Sequence, residues 1–165
     1  MKFSLDYLSA APAAIKALYQ LSASVKHSGL EPRIIELIQL RVSQINHCGY
    51  CIDMHTKDLR AAGETEQRLY LLSVWPETTL FNERECAALA WAEATAVLTN
   101  REFPEDLLER TRKVFSDAEI VWLSMAVTMI SAWNRLNVPF HPEVGGYQVG
   151  MFANGPATAT ATAHA

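Results

Sequence analysis

The sequence predicts an all-α protein built as a single domain of about seven helices. Apolar residues recur at spacings of three and four along most of the chain, whereas the alternation typical of strands is nearly absent. Prolines and capping residues stand where helices should begin. The 165 residues suffice for one domain with its own core. We expect this domain to span residues 1–150, because residues 151–165 end in the low-complexity ANGPATATATAHA and are predicted to be a disordered tail.

The first three helices are predicted from apolar stripes and their boundaries. A stretch from Leu8 to Ser24 has helical periodicity. Pro32 suits the first turn of a second helix, whose apolar stripe ends at Ile45. A third helix begins around residues 49–51 and ends near Gly63, since glycine is common just after a helix C-terminus.

Four more helices are predicted further along the chain. The segment ETEQRLYLLSVWPE looks helical up to its proline, and a short helix follows FPED. Asn82 with Glu85, and Ser116 with Glu119, have the spacing of capping boxes at the starts of two longer helices. The last helix is apolar on nearly all sides, which indicates a central helix or an interface between subunits.

Composition excludes several classes of partner. A net charge of −4 without a Lys/Arg cluster argues against nucleic acid. The longest uncharged apolar run, Ile120 to Asn134, is too short to span a bilayer, and no signal peptide is visible. We therefore expect a cytoplasmic protein without a membrane partner. Because only 19% of the residues are charged, we also expect a homo-oligomer that buries apolar surface.

The segment NHCGYCIDMH carries the reactive side chains. On a helix, Cys48, Cys51 and His55 are spaced i, i+3 and i+7 and therefore share one face. The two sulfurs could form a disulfide, and His55 could accept a thiol proton. A helix N-terminus would favour the thiolate form of a cysteine beside it.

This spacing alone allows several kinds of site. A thioredoxin-type centre requires a preceding strand, and covalent haem attachment requires a histidine where Ile52 stands. A zinc site could use both cysteines and His55, with His47 or Glu36 as the fourth ligand. Two buried structural cysteines are the remaining alternative. Glu36 would lie about 18 Å from Cys48 on one continuous helix, and it could approach the cluster only if the chain breaks near Asn46.

Four residues together resemble the signature of a known group. Glu36, eleven intervening residues, Cys48, two more, Cys51, three more and His55 are similar to the pattern of the alkylhydroperoxidase D-like (AhpD-like) group of the carboxymuconolactone decarboxylase superfamily. The resemblance covers residues 5–145. It extends through LIQLRVSQINHCGYCIDMHTKDLRAAGETEQRLYLLSVW, ERECAALAWAEA and SAWNRLNV.

The resemblance implies a helical trimer or hexamer with cysteine-based peroxidase activity. We expect neither a cofactor nor a metal. Cys51 is similar in place to the cysteine that attacks the hydroperoxide and becomes a sulfenic acid. Cys48 resembles the resolving cysteine that forms a disulfide with it. His55 and Glu36 match the proton relay, and an external dithiol reduces the disulfide.

One residue departs from the pattern of that group. The best-studied branch has a second histidine immediately before the second cysteine, where this chain has Tyr50. A phenol with a pKa of about 10 is a poor base near neutral pH, so Tyr50 is an auxiliary residue at most. This departure favours an alternative function, a thiol-disulfide exchange or redox-sensing oligomer with little peroxidase activity. Decarboxylation is not expected, because the lactone decarboxylases of the superfamily lack the cysteine pair.

Overall fold

The computed structural model describes residues 5–99 and 103–152, and within these ranges the chain forms helices and no strand. The all-α prediction is confirmed. The helices are α1 (Tyr7–Ala10), α2 (Pro12–Lys26), α3 (Pro32–Ile45), α4 (Gly49–Ala61), α5 (Glu66–Leu71), a 3-10 helix (Leu72–Glu77), α6 (Glu83–Ala96), α7 (Leu107–Arg112) and α8 (Asp117–Phe140). Among the described helices, none combines the length and apolar character needed to cross a membrane. Most of the predicted tail, residues 153–165, lies outside the described residues.

The predicted first helix is divided in two. Ala11, with φ −139° and ψ 63°, separates α1 from α2, and Pro12 opens α2. Proline disfavours the helical conformation in the residue before it, so one continuous helix from Leu8 is prevented. This division accounts for the additional helix.

Both predicted capping boxes are present. The Asn82 side chain accepts from the backbone N–H of Glu85, whose carboxylate accepts from the backbone N–H of Asn82. Ser116 and Glu119 repeat the arrangement at the start of α8. Such a cap stabilises a helix by about 1 kcal/mol, so these starts are determined locally.

Helix α3 lies at the centre of the packing and contacts α4, α6 and α8, while α8 also contacts α2 and α6. Leu123, Ala126 and Ile130 of α8 are buried in the main core with Ile38 and Val42 of α3. Helix α8 is therefore a central helix of the chain, which is one of the two positions predicted for the apolar last helix.

The turn between α3 and α4 brings the reactive residues together. His47 has φ 54°, and the backbone N–H of Cys48 donates to the carbonyl of Ser43. Asn134 of α8 holds this turn: it donates to the hydroxyl of Ser43 and accepts from the Asn46 amide. The left-handed residue ends α3 and folds α4 back against it. The helix is therefore interrupted near Asn46, which is the condition under which Glu36 could approach the cysteines and His55.

Candidate functional site

The two cysteines lie at the N-terminus of α4. Cys48 is the N-cap residue, and its sulfur accepts from the backbone N–H of Cys51 at 3.4 Å. The two sulfurs are joined in a disulfide, with Cα atoms 5.3 Å apart. Cys48 is 1% and Cys51 0% exposed. The pair is therefore a buried disulfide whose first sulfur receives one of the N–H donors at the start of a helix.

Glu36 reaches His55 from the neighbouring helix. Its Oε2 lies 2.9 Å from His55 Nδ1, and the imidazole is almost completely buried. Opposite a carboxylate, Nδ1 carries the hydrogen, which leaves the lone pair of neutral histidine on Nε2. Within the described part of the chain, His55 Nε2 has no hydrogen-bond partner. His55 can thus accept a proton one helical turn beyond Cys51.

Asn137 contacts the sulfur of Cys51 and was not predicted from the sequence as a residue of the site. From α8, its Nδ2 donates to the sulfur of Cys51 at 3.3 Å. Its Oδ1 accepts from the hydroxyl of Tyr7, at the start of α1. The signal was available in SAWNRLNV: two asparagines three residues apart on an apolar helix, both buried. The other one, Asn134, holds the turn before α4.

Tyr50 is partly buried beside the cysteines in sequence. Burial is the main cause that raises the pKa of its phenol, and nearby Tyr19 and Asp53 add to the effect. The phenol is therefore protonated at neutral pH and can supply a hydrogen-bond donor but not a base.

A second carboxylate lies beside the histidine. One ligand atom each from Glu36, His55 and Asp58 lies within 4.8 Å of the others, a spacing that a metal ion could bridge. Asp58 also accepts from the hydroxyl of Tyr147 at 2.8 and 3.0 Å, and burial is the main cause that raises its pKa. Both carboxylates are thus hydrogen-bonded already, Glu36 to His55 and Asp58 to Tyr147.

The residues of the alternative zinc site are not arranged in the structure as a set of zinc ligands. The two sulfurs are bonded to each other, so neither is a thiolate ligand in this state. His47, one of the two possible fourth ligands, is exposed at the turn. Apart from the two bonded sulfurs, the residues proposed for zinc that contact each other through side-chain atoms are Glu36 and His55.

The third cysteine lies apart from this group. Cys86 of α6 packs against a separate apolar cluster that includes Leu69 and Phe81, whereas Cys48 and Cys51 belong to the main core. Its thiol contacts the carbonyl of Phe81 at 3.5 Å. Burial, and next the carboxylate of Glu85, raise the pKa of the Cys86 thiol. Its surroundings therefore oppose thiolate formation.

Comparison with known proteins points to one family. A model of the carboxymuconolactone decarboxylase family matches residues 10–94. The uncharacterized protein YdfG of Bacillus subtilis (strain 168) is 36% identical over 138 residues, which cover 84% of this chain and 94% of YdfG.

Solved structures share the fold. A protein of unknown function from Agrobacterium tumefaciens, proposed to be the antioxidant defence protein AhpD, is 42% identical, with a TM-score of 0.82 over 87% of this chain and 98% of that one. The debrominase Bmp8 has a TM-score of 0.73 at 16% identity, over 84% of this chain and 75% of its own. The likeness to Bmp8 concerns the fold alone.

Proposed function

Because the chain belongs to the carboxymuconolactone decarboxylase family, we propose that it is a cysteine-based peroxidase that reduces hydroperoxides through Cys48 and Cys51. The observation that carries the proposal is the contact between Glu36 and His55, which orients an available imidazole nitrogen one turn beyond the second cysteine. The likeness to the Agrobacterium tumefaciens protein, with its proposed antioxidant role, supports it.

The first step uses Cys51 as the nucleophile. His55 Nε2 accepts the thiol proton, and the carboxylate of Glu36 stabilises the imidazolium that results. The thiolate attacks one oxygen of the hydroperoxide, so that an S–O bond forms and the O–O bond breaks. The leaving alkoxide takes the proton back from His55 and departs as the alcohol, while Cys51 becomes a sulfenic acid.

The second step uses Cys48 as the resolving thiol. Its sulfur lies at the N-cap of α4, where backbone N–H groups and the helix dipole stabilise a thiolate. This thiolate attacks the sulfur of the sulfenic acid, the S–O bond breaks, and the hydroxyl leaves as water with the proton released by Cys48. An external dithiol then reduces the disulfide with two electrons and two protons.

Access to the sulfurs requires local opening, since both are almost completely buried. The C-terminal segment lies against the start of α4: Val144 Cγ2 is 3.5 Å from the position that a Cβ atom would take at Gly49. Lys57 of α4 holds the same segment by donating to the carbonyls of Gly145 and Tyr147. Movement of this segment would admit the dithiol to the disulfide.

The wider setting proposed from the sequence is a cytoplasmic homo-oligomer, trimer or hexamer, whose helical domain spans residues 1–150. A thiol-disulfide exchange or redox-sensing protein is the second candidate function. Tyr50 favours it, because a partly buried phenol with a raised pKa cannot extend the proton relay at neutral pH.

The two functions are separated by mixing the reduced protein with an organic hydroperoxide. We expect one equivalent of peroxide to be consumed as one Cys48–Cys51 disulfide forms, measured by peroxide assay and by mass spectrometry of peptides. Cys51→Ser should reduce consumption to the uncatalysed background, because Cys51 is the proposed nucleophile and the sulfur to which Asn137 donates.

Cys86→Ser is the matched control and should retain the full rate, since Cys86 lies in a separate cluster. Fast oxidation by a disulfide reagent with no measurable reaction with peroxide would instead identify an exchange protein.

A further inference from the structure

We propose that Asn137 is a catalytic residue whose amide N–H stabilises the Cys51 thiolate, and that Tyr7 is a positioning residue that orients this amide. The inference deepens the proposed peroxidase and rests on it for the role of the thiolate. The observation behind it is a chain of two hydrogen bonds, from Tyr7 to Asn137 and from Asn137 to the sulfur.

The orientation of the amide follows from its two neighbours. A sulfur in a disulfide or a thiolate only accepts hydrogen bonds, so the NH₂ group of Asn137 faces Cys51 in both states. The carbonyl oxygen then faces the hydroxyl of Tyr7, which donates to it. Burial is the main cause that raises the pKa of Tyr7 to about 12, so this phenol keeps its proton at physiological pH.

Because Asn137 is buried, its amide requires defined hydrogen-bond partners. The residue is only 6% exposed and lies near the end of a largely apolar helix. A buried amide is costly unless its donor and its acceptor are both paired. The partners come from distant parts of the chain, Tyr7 at the start of α1 and Cys51 in α4, so the fold places one neutral donor against one sulfur.

A neutral donor complements the base. Hydrogen bonding to the charged form of a group favours that form, so the amide lowers the free energy of the thiolate without itself taking up a proton. The titratable groups near Cys51 are Cys48 at the N-cap of α4 and Tyr50 and His55 within α4. Through His55 they include Glu36 on α3 and Asp58 on α4, and through Asn137 they include Tyr7 on α1. The contact that α8 makes with the sulfur is uncharged.

The test uses a parent in which Cys51 is the only thiol, made by Cys48→Ser and Cys86→Ser. Its thiolate is titrated by ultraviolet absorbance, and its oxidation by hydroperoxide is followed with a sulfenic-acid probe. Asn137→Leu should raise the thiol pKa by about one unit and slow oxidation at neutral pH about tenfold, because one hydrogen bond to the charged form is lost. Tyr7→Phe should shift both quantities in the same direction by less.

Ser124→Ala is the control, since Ser124 lies on the same helix and accepts from the indole N–H of Trp91 rather than contacting the sulfur or the turn before α4. It leaves a buried donor unpaired, so it should lower stability and leave the thiol pKa unchanged. Equal shifts in the Ser124 and Asn137 variants would show a purely structural role and overturn the inference. So would an unchanged thiol pKa in both Asn137→Leu and Tyr7→Phe.

Tyr7→Phe removes one hydroxyl from a half-buried residue and keeps the ring, so it keeps the test decisive if Asn137→Leu does not fold. The titration also needs no peroxidase activity. A wild-type protein inert to peroxide, with a thiol pKa that still rises in Asn137→Leu, would contradict the proposed function and support the role of Asn137.

Discussion

Two cysteine environments in this protein differ in the groups that surround the sulfur. Cys51 accepts from the amide of Asn137 and stands one turn before an imidazole with an available nitrogen. Cys86 contacts a carbonyl oxygen and has the carboxylate of Glu85 beside it, and its thiol pKa is raised. The first sulfur accepts from one amide and has an imidazole one turn beyond it, whereas the second contacts an acceptor and lies beside a carboxylate whose effect on the pKa Arg68 opposes.

Solvent exposure alone would predict the opposite order of reactivity for the two cysteines. Cys86 is partly exposed, whereas Cys51 is completely buried. If access alone decided reactivity, Cys86 would be the reactive thiol. The polar neighbours predict the opposite, because the thiolate is the reacting form and its stability depends on donors and nearby charge.

Removing the base should give the largest change. In His55→Asn, we expect oxidation of Cys51 by hydroperoxide at neutral pH to slow about a hundredfold, because general-base catalysis typically contributes that much or more. Stopped-flow measurement of peroxide consumption checks it. His47→Asn is the matched control, since His47 is exposed at the turn before Cys48. Equal rates in both variants would show that His55 does not act as a base, and this base is the main difference proposed between the two cysteine environments.

Adding a second base beside Cys51 should change its oxidation rate by a smaller factor than removing His55. We expect Tyr50→His to speed oxidation of Cys51 by about threefold to tenfold at neutral pH, because an imidazole replaces a phenol whose pKa is raised by burial. Tyr50→Phe, compared in the same peroxide assay, removes the hydroxyl without adding a base and should bring no increase. A gain in both variants would point to packing rather than to proton transfer.

The smallest expected effect concerns Cys86 itself. With Cys48 and Cys51 replaced by serine, alkylation of Cys86 should have its midpoint at a higher pH than that of an unstructured cysteine. Its pKa is raised by burial and by Glu85, and a raised pKa delays thiolate formation as pH increases. The same protein in denaturant is the control and should show the ordinary midpoint. Identical midpoints would mean that the folded surroundings of Cys86 have no effect.

Local sequence patterns determined much of this protein. Both capping boxes act within four residues, so Asn82 and Ser116 could be recognised as helix starts without any tertiary information. The spacing of Cys48, Cys51 and His55 placed them on one helix face for the same reason. The division between α1 and α2 is also a local effect of Pro12 that the apolar periodicity concealed.

Contacts between helices were decided only by the tertiary structure. Glu36 could be linked to His55 by resemblance, but their 2.9 Å approach depends on the turn at His47 that folds α4 against α3. Asn137 joins Tyr7 and Cys51 across separations of 130 and 86 residues. Periodicity describes the face of a single helix and carries no information about which distant side chain will meet it. The spacing thus predicted which sulfurs react, and packing placed beside them the groups that we propose control their charge.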